Sequence, residues 1–396
     1  MSQTSLSVSI NDFQKRFQEN IQQEFNQLKK PNILIIGRAG VGKSSLINAI
    51  FGSDVARVGA GKPVTLSYKC YSSPDVLVNI YDSAGWEGGA EGEQKFLKDT
   101  ENFLNQRQTA NLEDRIHIVW YLVDAPGARF TDFDARIVRN SLKDIPVLFI
   151  LSKSDIADEN QIDSLKNVID ESNIPNQVGI IEVAASPMMK RGKLTCEPYG
   201  LDEVVCKTLE ILPDLLRRAF IAAQQVNLSE KDKETRDIII AATTAAFWIG
   251  FSPIPFSDTP VLLAGQVGLV ARIAVIYGFK PVQVVTSFVG GIVGGVSTAV
   301  IGLLLADFLK FIPGVGTSLG SLVDGTIGAI LTAALGFSFR ALFREIVKSN
   351  IKGEQVQYTE EWMQSFLQKR FQQEWDRLLK NKKLDKKLDD YEPLDE

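Results

Sequence analysis

Asn32-Ile-Leu-Ile-Ile-Gly37-Arg38-Ala39-Gly40-Val41-Gly42-Lys43-Ser44-Ser45 decides how the first half of this chain is read. Four consecutive branched apolar residues predict a short buried strand. Three glycines then break the apolar pattern, and Ser-Ser-Leu-Ile-Asn-Ala-Ile predicts a helix start. Strand, glycine-rich loop and helix together match G-x-x-x-x-G-K-[ST]. Glycine lets successive backbone N–H groups curl around phosphate oxygens in conformations that a Cβ hinders. A helix beginning near Lys43 adds the positive end of its dipole. The expected cradle is Gly37, Ala39, Gly40, Val41, Gly42, Lys43, Ser44 and Ser45. The Lys43 ammonium is expected between a β- and a γ-phosphate, and the Ser44 hydroxyl on Mg²⁺, a hard ion that prefers oxygen.

Outward from this segment, apolar runs of strand length alternate with polar helical stretches. They are Ile33–Ile36, Val76–Tyr81, Ile116–Val123, Val147–Leu151 and Gly179–Val183. The alternation predicts an α/β fold, a mainly parallel sheet covered by helices.

Further motifs sit at the ends of these runs. Asp82-Ser83-Ala84-Gly85 reads as D-x-x-G. Asp82 is expected to hold Mg²⁺ through a water, and the Gly85 N–H to meet the γ-phosphate. Thr65, in Lys62-Pro63-Val64-Thr65, is the candidate switch threonine that closes over the metal. Ser152-Lys153-Ser154-Asp155 follows the fourth run. The Asp155 carboxylate can accept both the N1–H and the exocyclic amine of guanine, a pattern that adenine lacks. The stem of Lys153 can cover the base face. Ala184-Ala185-Ser186 follows the fifth run, where a backbone N–H of Ala185 or Ser186 can reach the guanine oxygen. Each short motif is weak alone; their order and their places at strand ends make them strong together.

The motifs GRAGVGKSSLINAIFG, KPVT, DSAG and SKSD resemble those of the Era-like branch of translation-factor-related P-loop GTPases, over residues 32–212. The helical context is also similar to immunity-related and dynamin-like GTPases. The later stretches FSPIPFSDTPVLLAGQVGLVARIAVIYG and IPGVGTSLGSLVDGTIGAILTAALG resemble a helical module found behind some bacterial GTPase domains. The resemblance implies GTP and GDP as ligands, Mg²⁺ as cofactor and hydrolysis of GTP. Three departures qualify it. Ser152 stands where the family usually has Asn or Thr. Gly40 stands where potassium-activated relatives carry Asn. Trp86 follows Gly85, where the Ras type has a water-orienting glutamine. Glu87, Glu91, Glu93 and Gln94 are flexible alternatives. Lys43, Thr65, Gly85 and Arg38 are the candidate catalytic groups, with Arg38 acting in cis or across a dimer; its other reading is a solvated loop arginine. Slow hydrolysis, accelerated by dimerisation or assembly, is the expectation. His117 reads as a strand-end residue, and Asp124, Asp132 and Asp134 as exposed loop carboxylates.

The second half has different chemistry. Between Ile238 and Phe339 the only charges are Asp258, Arg272, Lys280, Asp307, Lys310 and Asp324. Val282–Ala306 carries none, and its length exceeds the ~20 residues that span a bilayer. Gly290/Gly294 and Gly291/Gly295 within it suit close helix approach. The competing reading is a soluble helical bundle. Ser229–Asp237 reads as a linker or exposed helix start. QKRFQ occurs at Gln14–Gln18 and Gln368–Gln372, either by chance or because the two ends pack as a stalk. Four regions result: an amphipathic N-terminal helix (1–30), the nucleotide domain (31–228), an apolar helical domain (229–345), and an amphipathic helix with a charged tail (346–396).

Over 396 residues the net charge is −5, which argues against a sequence-independent nucleic-acid binder. Three cysteines without metal-ligand spacing fit a reduced, cytoplasm-facing compartment. No signal peptide is expected from the polar N-terminus. Two functions from different classes follow: a membrane-associated GTPase that meets lipid through its helical half, or a soluble GTP switch whose helical half binds a protein. A homodimer through the nucleotide domain or the helical ends fits either.

Overall fold

The computed structural model describes residues 10–52, 62–65, 68–72, 76–84, 89–107, 111–190, 192–250, 259–281, 325–352, 354, 356 and 358–380. The chain divides into two compact units. One is Leu28–Asn227; the other joins Met1–Gln27 to Leu228–Glu396.

The first helix, α1 (Ile10–Gln27), belongs to the second unit. The nucleotide unit then runs β1 (Asn32–Ile36), α2 (Lys43–Phe51), β2 (Lys62–Thr65), β3 (Tyr68–Tyr71), β4 (Asn79–Ser83), α3 (Ala90–Arg107) and β5 (Ile118–Asp124). It continues through α4 (Asp132–Arg136), a π turn at Ile137–Ser141, β6 (Val147–Ser152), a 3-10 turn at Ser154–Ile156, and α5 (Glu159–Glu171). Then come β7 (Gln177–Val183), the hairpin β8 (Met188–Lys190) and β9 (Lys193–Cys196), α6 (Leu201–Ile211) and α7 (Asp214–Ala223).

The seven-stranded sheet has the order β2-β3-β4-β1-β5-β6-β7. From β4 to β7 every pairing is parallel, so this stretch must be covered on both faces. Accordingly all five residues of β1 and all six of β6 are buried. Trp120 of β5 stacks on Phe51 at 6.0 Å, and its indole N–H donates to Thr208 Oγ1 at 3.1 Å, so one large side chain binds α2 and α6 to the sheet. On the other face Tyr68 stacks on Phe103 at 4.2 Å, and its hydroxyl lies 2.6 Å from Thr100 Oγ1, which docks α3.

The five apolar runs of the sequence are the five parallel strands. The antiparallel edge, β2 and β3, was not legible. Lys-Pro-Val-Thr and Tyr-Lys-Cys-Tyr are four-residue strands with no apolar alternation, and ladder pairing, of β3 to β4 and of β2 to β3, is what makes them extended. The β8–β9 hairpin is likewise short and polar.

The second unit contains α1, α8 (Leu228–Gly250), α9 (Thr259–Ile276), α10 (Gly325–Ile351) and α11 (Glu360–Lys380). α8 and α10 pack side by side. A Cβ at Gly336 of α10 would lie 2.8 Å from Ile239 Cγ1 of α8, so glycine sets their approach. α1 packs on α9 and α11 on α10, so each helix carrying a QKRFQ echo lays its buried stripe on a different neighbour. Phe17, Ile21 and Phe25 form one stripe, Met363, Leu367 and Leu378 the other. The segment 229–237 is a helix start with one exposed face, at Ser229, Lys233 and Asp237, and one buried face. Lys231 is 1% exposed and Thr235 fully buried. Asp232 accepts from Arg344 Nε at 2.8 Å and from the Tyr277 hydroxyl, and lies 3.5 Å from Arg340 Nη2. The uncharged run Val282–Ala306, and Asp258, Asp307, Lys310, Asp324 and the lysines beyond 380, lie outside the described residues.

Lys231 Nζ donates to Ile276 O, a carbonyl at the end of α9, at 2.7 Å. Burial pushes its ammonium down from 10.5 to about 7. Between those values the unfolded chain binds more protons than the folded one, so this group makes stability rise as pH climbs from about 7 toward 10.5. In thermal melts across that range the stability of the wild type relative to Lys231→Met is expected to be lowest near pH 7 and to rise with pH; a difference between the two that stays flat with pH would contradict this.

Candidate functional site

Parallel strands deliver their following loops to one edge of the sheet. Gly37 follows β1 there, Asp82 lies near the end of β4, Asp124 ends β5, Ser152 ends β6, and Ala184-Ala185 follow β7. This edge is the candidate site.

The loop after β1 is held from within. Val41 N–H donates to Arg38 O at 3.3 Å, and Leu46 N–H to Gly42 O at 3.0 Å where α2 begins. Gly42, the N-cap of α2, has φ 104°, a left-handed conformation that a side chain resists. Lys43 Nζ donates to Gly37 O at 2.8 Å and to Arg38 O at 3.2 Å. Burial lowers its pKa, and the Asp82 charge partly restores it. Ser44 and Ser45 stand exposed in the first turn of α2.

Asp82 is paired in register with Ile35 of β1 and Lys69 of β3. Burial raises its pKa, offset by the charges of Lys43 and Lys69. Its Oδ1 is buried with no hydrogen-bond partner among the described residues. An orphaned carboxylate oxygen near a lysine, with the Ser44 hydroxyl exposed at the helix start, is a donor set that fits a hard cation through a water. No group of three or more metal-binding side chains occurs among the described residues. Thr65 ends β2, opposite Tyr68. The Thr65 side chain, and Gly85, Trp86 and Glu87, lie outside the described residues. Glu91 and Glu93 fall in the first turn of α3 with Gln94 just after it, and Glu93 pairs with Arg136 at 3.4 Å.

Ser152, short as it is, spans the gap to the phosphate loop. Its hydroxyl lies 2.7 Å from Val41 O and 3.1 Å from Val123 O, tying β6 to both β5 and the loop. Lys153 has φ 58°, uncommon for a residue with a Cβ. The flanking bonds hold that conformation: Ala125 N–H donates to Ser152 O at 3.0 Å, and Ser154 Oγ to Leu151 O at 2.7 Å. Lys153 Nζ pairs with Asp124 Oδ1 at 2.8 Å. Asp155 is half-buried in the 3-10 turn that follows. The loop after β7 is pinned where Ala184 and Tyr199 exchange backbone hydrogen bonds, which leaves Ala185 and Ser186 at the rim.

A cavity of about 480 Å³ lies beside the phosphate loop, lined by Arg38, Val41, Asp124, Arg129, Asp134 and Lys153 among others. Two carboxylates expected to be exposed are not. Asp124 is half-buried against Lys153. Asp134 is 3% exposed and accepts from the Tyr121 hydroxyl at 2.7 Å, the Thr131 N–H at 2.9 Å and the Thr131 hydroxyl at 2.6 Å. Arg38 pairs with it at 3.4 Å and so is not a solvated loop arginine. The position of Asp124 at a strand end was the one signal in the sequence that could have flagged it. His117 is a strand-end residue, buried, with Nδ1 accepting from Asn32 N–H and Nε2 2.9 Å from Leu112 O.

Residues 32–178 match the family model described as 50S ribosome-binding GTPase. Residues 216–374 match the model described as Domain of unknown function (DUF697), which begins inside α7. Among curated proteins, the tRNA modification GTPase MnmE of Borrelia recurrentis is 29% identical over 134 residues, 33% of this chain and 26% of that protein. GTPase Der of Campylobacter hominis is 30% identical over 191 residues, 45% of this chain and 39% of that protein. The probable GTP-binding protein EngB of Aquifex aeolicus is 28% identical over 142 residues, 35% of this chain and 75% of that protein. The chain thus spans 26% and 39% of the length of the first two. The glycine loop opening α2, Asp82 near the end of β4 and Asp155 after β6 all fall within residues 32–178, the segment that matches the GTPase family model, so the chain carries a P-loop GTPase domain followed by a helical segment that matches the second family.

Proposed function

We propose that this chain binds GTP and GDP together with Mg²⁺ and hydrolyses GTP to GDP and phosphate. The observation that carries the proposal is the clustering of Lys43, Asp82 and the Ser152–Asp155 turn on one sheet edge, with Ser152 bonded to the loop that carries Lys43. Gly37, Ala39, Gly40, Val41, Gly42 and Ser45 line the phosphates through their backbone. Lys153 and Asp155 take the base, with Ala185 and Ser186 closing over its oxygen. Ser44, Thr65 and Asp82 hold the metal, whose charge neutralises that developing on the phosphoryl oxygens. Lys43 and the Gly85 N–H stabilise the transferring group. Replacing the Asp155 carboxylate with an amide removes one acceptor and presents a donor to the guanine amine. Asp155→Asn is expected to weaken GDP binding by about 3 kcal/mol, or ~100-fold, and to improve binding of xanthosine diphosphate. Fluorescent-nucleotide titration measures both, and equal affinity of the two proteins for GDP would remove Asp155 from the base site.

Hydrolysis by the isolated chain is proposed to be slow, because Trp86 cannot orient water. A second copy completes the site. Specific activity is therefore expected to rise with protein concentration, and a high rate that is flat across a hundredfold dilution would contradict this.

The helical unit is proposed to meet a membrane from the cytoplasmic side, with nucleotide state setting its engagement. The support is Val282–Ala306, uncharged and longer than a bilayer needs. The second reading, a soluble switch whose helical unit binds a protein, is favoured by α10. It is the one described helix long and apolar enough to cross a bilayer, yet 78% of its most apolar window is buried against protein. Co-sedimentation with liposomes in GDP and in a non-hydrolysable GTP analogue separates the two. Nucleotide-dependent pelleting is expected; a monodisperse protein that stays in the supernatant in both states leaves the protein-partner reading standing.

A further inference from the structure

The buried carboxylate Asp134 has no part in the nucleotide chemistry proposed above, yet it is built into the wall of the phosphate loop. It comes from α4, whose N-cap is Thr131. Tyr121, which holds one of its oxygens, sits in β5 paired with Ile36, the residue before Gly37. The other oxygen takes the Thr131 N–H and hydroxyl and faces Arg38, the second residue of the loop. Arg38 Nη2 also lies 3.5 Å from Thr131 Oγ1. A carboxylate 3% exposed calls for a cation and several donors around it. Arg38 supplies that charge, and its backbone carbonyl in turn receives Lys43 Nζ and Val41 N–H.

We infer that Asp134 is a positioning residue that clamps the phosphate loop through Arg38, with Tyr121 and Thr131 aiming the carboxylate. Arg38 then serves the loop by its salt bridge rather than by reaching the γ-phosphate. A clamp on the loop acts before the γ-phosphate is distinguished, so it supports GDP and GTP alike. A transition-state arginine supports only the hydrolytic step.

This inference rests on the proposed nucleotide site, so binding of GDP and of a GTP analogue to the wild-type chain is measured first; no binding defeats that reading and not the clamp in particular. With binding established, Asp134→Asn, Arg38→Ala and the double variant are titrated with both nucleotides, and thermal melts verify that each is folded. The expected result is an affinity loss of about tenfold, equal for the two nucleotides and no larger in the double variant than in either single one. Tyr121→Phe removes one hydrogen bond without altering the loop's own sequence, and is expected to lower both affinities by a smaller equal factor. Arg38→Lys is expected to fall between wild type and Arg38→Ala, since a point charge replaces a forked donor. The clamp is overturned if folded Asp134→Asn keeps both wild-type affinities, if the two losses are additive, or if Arg38→Ala retains GDP affinity while the hydrolytic step collapses.

Discussion

The constraint on which this molecule depends is the direction of its strands. Five strands run parallel, so the residues leaving their C-terminal ends emerge on one edge. Gly37, Asp82, Asp124, Ser152 and Ala184 are far apart in sequence and become neighbours only through that shared direction. The requirement that both faces be covered selects the apolar runs, and the covering helices fix the sheet. Trp120 illustrates the economy of this arrangement. It is fully buried, stacks on Phe51 of α2 and bonds to Thr208 of α6, so the helix that begins at the phosphate loop is braced through the strand next to it.

Sequence patterns report apolar burial and backbone punctuation well. The five parallel strands, the glycine loop, α2 and the turn at Ser152–Asp155 were all legible on those grounds. Buried polar groups were not legible, because their partners lie elsewhere in the chain. Asp134 reads as one acid among several in a loop until Tyr121 and Arg38 are brought to it. Lys231 reads as part of a charged stretch until Ile276, 45 positions on, supplies its carbonyl. The antiparallel edge was invisible for a related reason: β3 owes its extension to ladder bonds with β4, and β2 to those with β3, and not to their own side chains.

The helical unit shows how composition can be spent in different ways. α10 is apolar enough for lipid, but its residues from Gly328 to Phe339 are buried against protein. α8 meets it closely at Gly336, and Asp232 draws Arg340 and Arg344 of α10 onto α8. Ion pairs with an aspartate on a neighbouring helix fix the register of two helices in a way that apolar contact alone does not. The hydropathy of α10 is thus accounted for by packing, and the case for a bilayer rests on Val282–Ala306.

The basic side chains at the phosphate loop differ in what holds them. Two of them have carboxylate partners: Arg38 with Asp134, and Lys153 with Asp124. Lys43 instead lies on two backbone carbonyls, Gly37 O and Arg38 O, which are weaker partners than an anion. A phosphate arriving at the loop therefore meets, at Lys43, a cation whose present bonds are readily exchanged. Moving Arg38 would strand Asp134, and moving Lys153 would unpair Asp124. Lys43, Arg38 and Lys153 thus divide by their partners into one that can follow the ligand and two that hold the frame in which the ligand sits.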